Sequence, residues 1–72
     1  MNDTLTFGER AVGLNFNPSG DPDVDRVKRL YAEIIDMLAV NHADSEKSRL
    51  YHIAIIEAQT AQMWAVKAMT WR

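Results

Sequence analysis

Apolar residues recur at helical spacing in two stretches of the chain. In Leu50–Trp71, the residues Leu50, Ala54, Glu57, Ala61, Trp64, Ala68 and Trp71 fall on one seam with alternating steps of four and three. Ile53, Ile56, Thr60, Met63, Lys67 and Thr70 form a second stripe beside it. Alanines at 54, 58, 61, 65 and 68 leave surface on which another helix can approach closely. No Gly or Pro interrupts the run, so a long helix is expected over 45–72, capped by Asp44 or Ser45. Only one of its stripes can face the rest of the hairpin, so it calls for partners on more than one side.

The second pattern lies upstream. Val24, Val27, Tyr31, Ile34 and Leu38 step by three and four, and Leu30 and Met37 widen the seam. Asp21 suits an N-cap, Pro22 the first helical position, and Asp23 and Asp25 the positive end of the helix dipole. A first helix over 21–40 follows. Asn41–Asp44 is a short polar connection, which makes the two helices antiparallel neighbours. Ahead of them lies an arm and loop over 1–20. Met1–Thr6 reads as a frayed end, and Phe7–Val12 is either a helical turn or extended. Gly13–Gly20 is loop, rich in Gly, Asn, Pro and Ser. The expected fold is all-α: one domain over 1–72, an antiparallel two-helix hairpin with an N-terminal loop segment.

Size changes the picture. A chain of 72 residues without cysteine has a small core and no disulfide to brace it, and its two histidines suggest no structural zinc. Assembly into a homo-oligomer is the remaining route to stability. A hydrophobic fraction of 47% argues against disorder. No apolar run is long enough to span a membrane, and the N-terminus has no signal-peptide pattern, so the expectation is cytosol. A net charge of −2 argues against long nucleic acid as a partner. From Arg26 onward bases outnumber acids, which suits one or two small anions, although ordinary solvated surface is the favoured explanation of the charges.

The helix lengths give a candidate site. At about 19 and 27 residues, the second helix overhangs the first by ~12 Å. In an antiparallel hairpin the overhang lies beside the loop before helix one. Phe16, Asn17, Ser19, Arg26, Lys28, Met63, Lys67 and Arg72 then gather near one end. A ring, short polar groups and cations together can hold a nucleotide. Each residue also has a plainer role. The residues alone favour Phe16 as a core plug and Asn17, Ser19 and Gly20 as turn formers. Lys67 either reaches a ligand or extends to water. Trp64 and Trp71 read as packing, and Glu57 on an apolar seam needs a partner or solvent. His42 and His52 have no companion at ligand spacing. Glu33 and Asp36 resemble half of a helical metal site, without the second acidic pair it requires. No nucleophile–base pair is visible, and neither a catalytic residue, a metal nor a cofactor is expected.

GERAVGLNFNPSGDPDVDRVKRLYAEIID followed by IEAQTAQMWAVKAMTW resembles the hairpin domain shared by phage anti-CBASS and Thoeris anti-defence proteins. The likeness covers about residues 8–72, with FNPSG at 16–20 and TAQMWAVKAMTW at 60–71 its most specific parts. The resemblance implies a viral sponge in the cytoplasm of an infected bacterial host. Such proteins bind cyclic nucleotide immune messengers without cleaving them, and form multimers, typically hexamers, with pockets between protomers. Carried over by position, Phe16, Asn17, Ser19, Lys28, Thr60, Met63, Lys67 and Arg72 become ligand-binding candidates. Some members place a tyrosine ahead of helix one as the stacking residue; here Phe16 is the nearest aromatic. The messenger is a cyclic dinucleotide, a cyclic trinucleotide or a cyclic ADP-ribose isomer. The rival readings are a protein–protein interaction hairpin with no small ligand and, behind it, an all-α nucleotide pyrophosphohydrolase built on Glu33 and Asp36.

Overall fold

The local signals at the chain's helix starts are all used. In a computed structural model, which describes residues 4–40 and 44–72, three helices follow one another: α1 Phe7–Ala11, α2 Pro22–Leu38 and α3 Ser45–Met69. Thr6 and Glu9 form a capping box at α1: the Thr6 hydroxyl accepts from the Glu9 amide at 3.1 Å, and Glu9 Oε1 accepts from the Thr6 amide at 2.8 Å. Asp21 caps α2 by accepting from the Asp23 amide at 2.8 Å. Asp44, rather than Ser45, caps α3 by accepting from the Lys47 amide at 2.9 Å. The stretch after Thr6 is therefore a helical turn, not extended. Helix α2 ends at Leu38 and α3 at Met69, short of the expected 40 and 72. Apart from Asp44, the connection at Asn41–Asp44, with His42, lies outside the described residues.

Helix α2 packs against both α1 and α3. Val24 near the start of α2 shares a cleft with Val66 and Thr70 at the end of α3, and Ile35 and Ile55 share the core, so α2 and α3 run antiparallel. The core is small: Val12, Leu14, Ala32, Ile35 and Ile55, edged by Leu5, Ala11, Tyr31, Leu38 and Ala58. The residues before α2 supply part of it, so the N-terminal segment is built into the hairpin. Helix α1 comes very close to α2. A Cβ at Gly8 would stand 2.2 Å from the Ala32 carbonyl oxygen, so only glycine fits there.

The helix faces differ from those expected. On α2 the buried positions are Val24, Lys28, Ala32 and Ile35, whereas Leu30, Ile34 and Met37 are exposed. On α3 the buried positions are Ile55 and Gln62. Neither expected stripe of α3 faces α2: Leu50, Ile53, Ile56, Met63, Trp64 and Trp71 all point outward, and so does Glu57. On α2 the docking of α1 contributes: Gly8 comes up against the Ala32 backbone and turns that face inward. The molecule measures 43 × 32 × 12 Å. Its thinnest dimension is close to one helix diameter, so the helices form roughly a single layer, and a stable domain buries apolar faces between two.

Candidate functional site

The loop between α1 and α2 presents an aromatic ring. Gly13 takes a left-handed conformation (φ 63°), and its carbonyl accepts from the Phe16 amide at 2.9 Å, which closes a tight turn. The ammonium of Lys28, on α2, donates to the Gly13 carbonyl at 3.0 Å and to the Phe16 carbonyl. It also sits 5.7 Å from the centroid of the Phe16 ring. Lys28 is only 5% exposed, yet the Phe16 ring is 72% exposed. The expectation that Phe16 plugs the hairpin end as core is therefore wrong for the protomer.

Beyond Phe16 the loop is held by its own polar groups. Asn17 Nδ2 donates to the Asp21 carbonyl at 3.0 Å, the Ser19 hydroxyl donates to Asn17 Oδ1 at 2.7 Å, and the Asp21 amide donates to Ser19 Oγ at 3.1 Å. Asn17 and Ser19 thus have the turn role that their residue types suggested, and they also border the cleft described next.

Three concavities lie along the α3 end of the hairpin. The first, about 180 Å³, is lined by Phe16, Asn17, Pro18, Ser19, Val24, Lys28, Val66 and Thr70. The second, about 260 Å³, shares Ser19 and Thr70 with it and adds Asp21, Met69, Trp71 and Arg72. The third, about 290 Å³, is formed by Thr60, Met63, Trp64 and Lys67. There the Lys67 ammonium lies 5.3 Å from the Trp64 ring centroid and 5.8 Å from that of Trp71.

The eight candidate residues are therefore divided. Phe16, Asn17, Ser19 and Lys28 come together, Arg72 is next door, and Thr60, Met63 and Lys67 line a separate hollow. Each hollow is below the ~300–1,000 Å³ usual for a small-molecule pocket.

The family model for the Acb2/Tad1 hairpin domain matches residues 9–70, which takes in the loop, both long helices and most of these linings. The chain belongs to that family. Its members are anti-CBASS and anti-Thoeris sponges. The comparisons with curated proteins and with solved structures returned no match.

Against this family background, several lining residues were not singled out from the sequence as site residues. Pro18, Val24, Val66 and Thr70 have no chemistry that marks them, and only the antiparallel register brings them together. Trp64 and Trp71, which the sequence suggests as packing residues, are largely exposed in the protomer and flank Lys67. Of the acidic pair on α2, Asp36 is otherwise engaged, because it accepts from the Gly8 amide at 2.7 Å. Among the described residues no group of three or more metal-ligating side chains comes together, and no helix is long and apolar enough to cross a membrane. Among the described residues, the shifted pKa values belong to surface pairs outside the three hollows. The hydrogen bond and charge of Asp25 raise Arg29, and hydrogen bonding between Glu46 and Arg49 lowers the acid and raises the base.

Proposed function

We propose that this hairpin sequesters cyclic nucleotide immune messengers, and so blocks CBASS-type or Thoeris-type signalling in the cytoplasm of an infected bacterium. The mechanism is stoichiometric: bound messenger is withheld from its effector and not cleaved. Membership of the Acb2/Tad1 hairpin family over residues 9–70 is the observation that carries this reading. The exposed Phe16 ring supports it, since a ring held clear of the core offers a stacking surface for a base. Lys67 and Arg72 supply cations for phosphate, and Thr60, Met63, Asn17 and Ser19 edge the same hollows.

The binding unit in this reading is a homo-oligomer, a hexamer as in related sponges. Two observations support assembly: the single-layer thickness and the outward apolar residues of α3. Joining hollows across an interface would also enlarge them to nucleotide size. Calorimetry against cyclic dinucleotides, cyclic trinucleotides and cyclic ADP-ribose isomers tests the reading. Submicromolar binding of at least one, with intact messenger recovered after heat denaturation, is the expected result. Metal-dependent recovery of linear product would favour an enzyme. The outward apolar faces equally suit a hairpin that binds another protein, and an oligomer with no affinity for the whole panel would favour that reading.

A further inference from the structure

Among the described residues, Lys28 is the one buried cation. A buried ammonium normally pairs with a carboxylate, because an unpaired charge is costly to remove from water. Among the described residues, Lys28 pairs with none; its partners are two backbone carbonyls. Those carbonyls belong to Gly13 and Phe16, the two ends of the turn closed by the 2.9 Å bond from the Phe16 amide. The same ammonium sits 5.7 Å from the ring centroid of Phe16. One group thus holds the backbone at both ends of the turn and lies close to the ring.

We infer that Lys28 is a positioning residue for Phe16, and not the cation that binds a messenger's phosphate. It holds the turn so that the ring stands ready at the rim of the cleft, which lowers the ordering cost of stacking a base there. Two of its three N–H groups are committed to carbonyls before any ligand arrives. Among the ligand-binding candidates, the cations left to meet phosphate are then the exposed ones, Lys67 and Arg72. The inference rests on the proposed nucleotide site, but its first test needs no ligand.

Lys28→Met keeps most of the stem and removes the ammonium. Amide hydrogen exchange of the ligand-free variant, followed by NMR, should show the Phe16 amide exchanging at least tenfold faster than in the parent. The amides of Ile35 and Ile55 should be unchanged. Parental exchange at Phe16 overturns the inference.

The second test is a double-mutant cycle with Phe16→Ala, read by calorimetry with whichever cyclic dinucleotide of the panel the parent binds best. Lys28→Met should weaken binding about tenfold when Phe16 is present, and less than twofold when it is alanine. An equal loss in both backgrounds marks a direct phosphate contact and overturns the inference. If Lys28→Met does not fold, the parent decides the question. Its Lys28 ammonium nitrogen resonance should hold its position on adding the dinucleotide while the Phe16 ring resonances move; a large ammonium shift overturns the inference. If the parent binds no dinucleotide but another messenger of the panel, the cycle is read with that messenger; if it binds none, the nucleotide reading fails and the exchange experiment alone decides the role of Lys28.

Discussion

The amide of Gly8 donates to Oδ1 of Asp36 over 2.7 Å, joining the first turn of α1 to the last turns of α2. The contact is possible only because Gly8 has no side chain: a Cβ there would meet both the Ala32 carbonyl at 2.2 Å and Asp36 Oδ1 at 2.9 Å. A five-residue helix is too short to stand alone. It stands by its capping box, this bond, and the burial of Val12 and Leu14 just after it.

Gly8→Ala is therefore expected to destabilise the fold by about 2 kcal/mol or more, as overpacking does. Asp36→Ala should cost about 1–3 kcal/mol through the lost charge-assisted bond. Urea denaturation followed by circular dichroism measures both. Parental stability of Gly8→Ala would mean that α1 is not docked on α2.

Phe16→Ala should weaken messenger binding about ten- to a hundredfold, since losing a base–aromatic stack costs ~1–3 kcal/mol. It should hardly change the melting temperature, because the ring is 72% exposed. A variant that binds as tightly as the parent but melts far lower would return Phe16 to the core and displace the site.

Lys67 lies between two exposed tryptophan rings and apart from the Phe16 cleft of its own protomer. If it meets a ligand phosphate, Lys67→Ala should weaken binding about tenfold and reduce its dependence on salt. Titrations at two ionic strengths check both effects. Unchanged affinity and unchanged salt dependence would remove Lys67 from the site.

Assembly has its own test. Ile56 is 59% exposed and lies among the outward apolar residues of α3. Ile56→Asp should leave the helical fold recognisable by circular dichroism and split the oligomer, because an unpaired carboxylate in an apolar interface is strongly disfavoured. Light scattering reads the mass. A well-folded monomer for the parent chain would sink the oligomeric reading.

Gln62 is 5% exposed. No hydrogen bond to its carboxamide is formed among the described residues. Burying an unpaired carboxamide costs about 1–3 kcal/mol in protein cores. Gln62→Met, similar in volume and apolar, should therefore raise stability by about 1 kcal/mol in chemical denaturation. A loss of stability would show that the carboxamide is satisfied in solution.

The sequence by itself determined the helical class, the two long helices, their antiparallel arrangement and the loop before α2. These follow from local physics: apolar spacing, an Asp-Pro helix start, and Gly and Asn in the loop. Apolar spacing left Phe7–Val12 open between helical turn and extended, and the Thr6–Glu9 capping box of the structure decides it. The likeness to the Acb2/Tad1 hairpin was also carried by the residues alone. Only the tertiary structure decided which faces turn inward. Counting apolar residues put Ile34, Trp64 and Trp71 on seams and kept Lys28 out of the core. The fold leaves those three exposed and buries Lys28: α1 docks on α2 at Gly8 and turns the Ala32 face inward, and the carbonyls of Gly13 and Phe16 satisfy a buried ammonium. Both conditions depend on backbone atoms far apart in the chain, and residue types at helical spacing carry no information about where those atoms will meet.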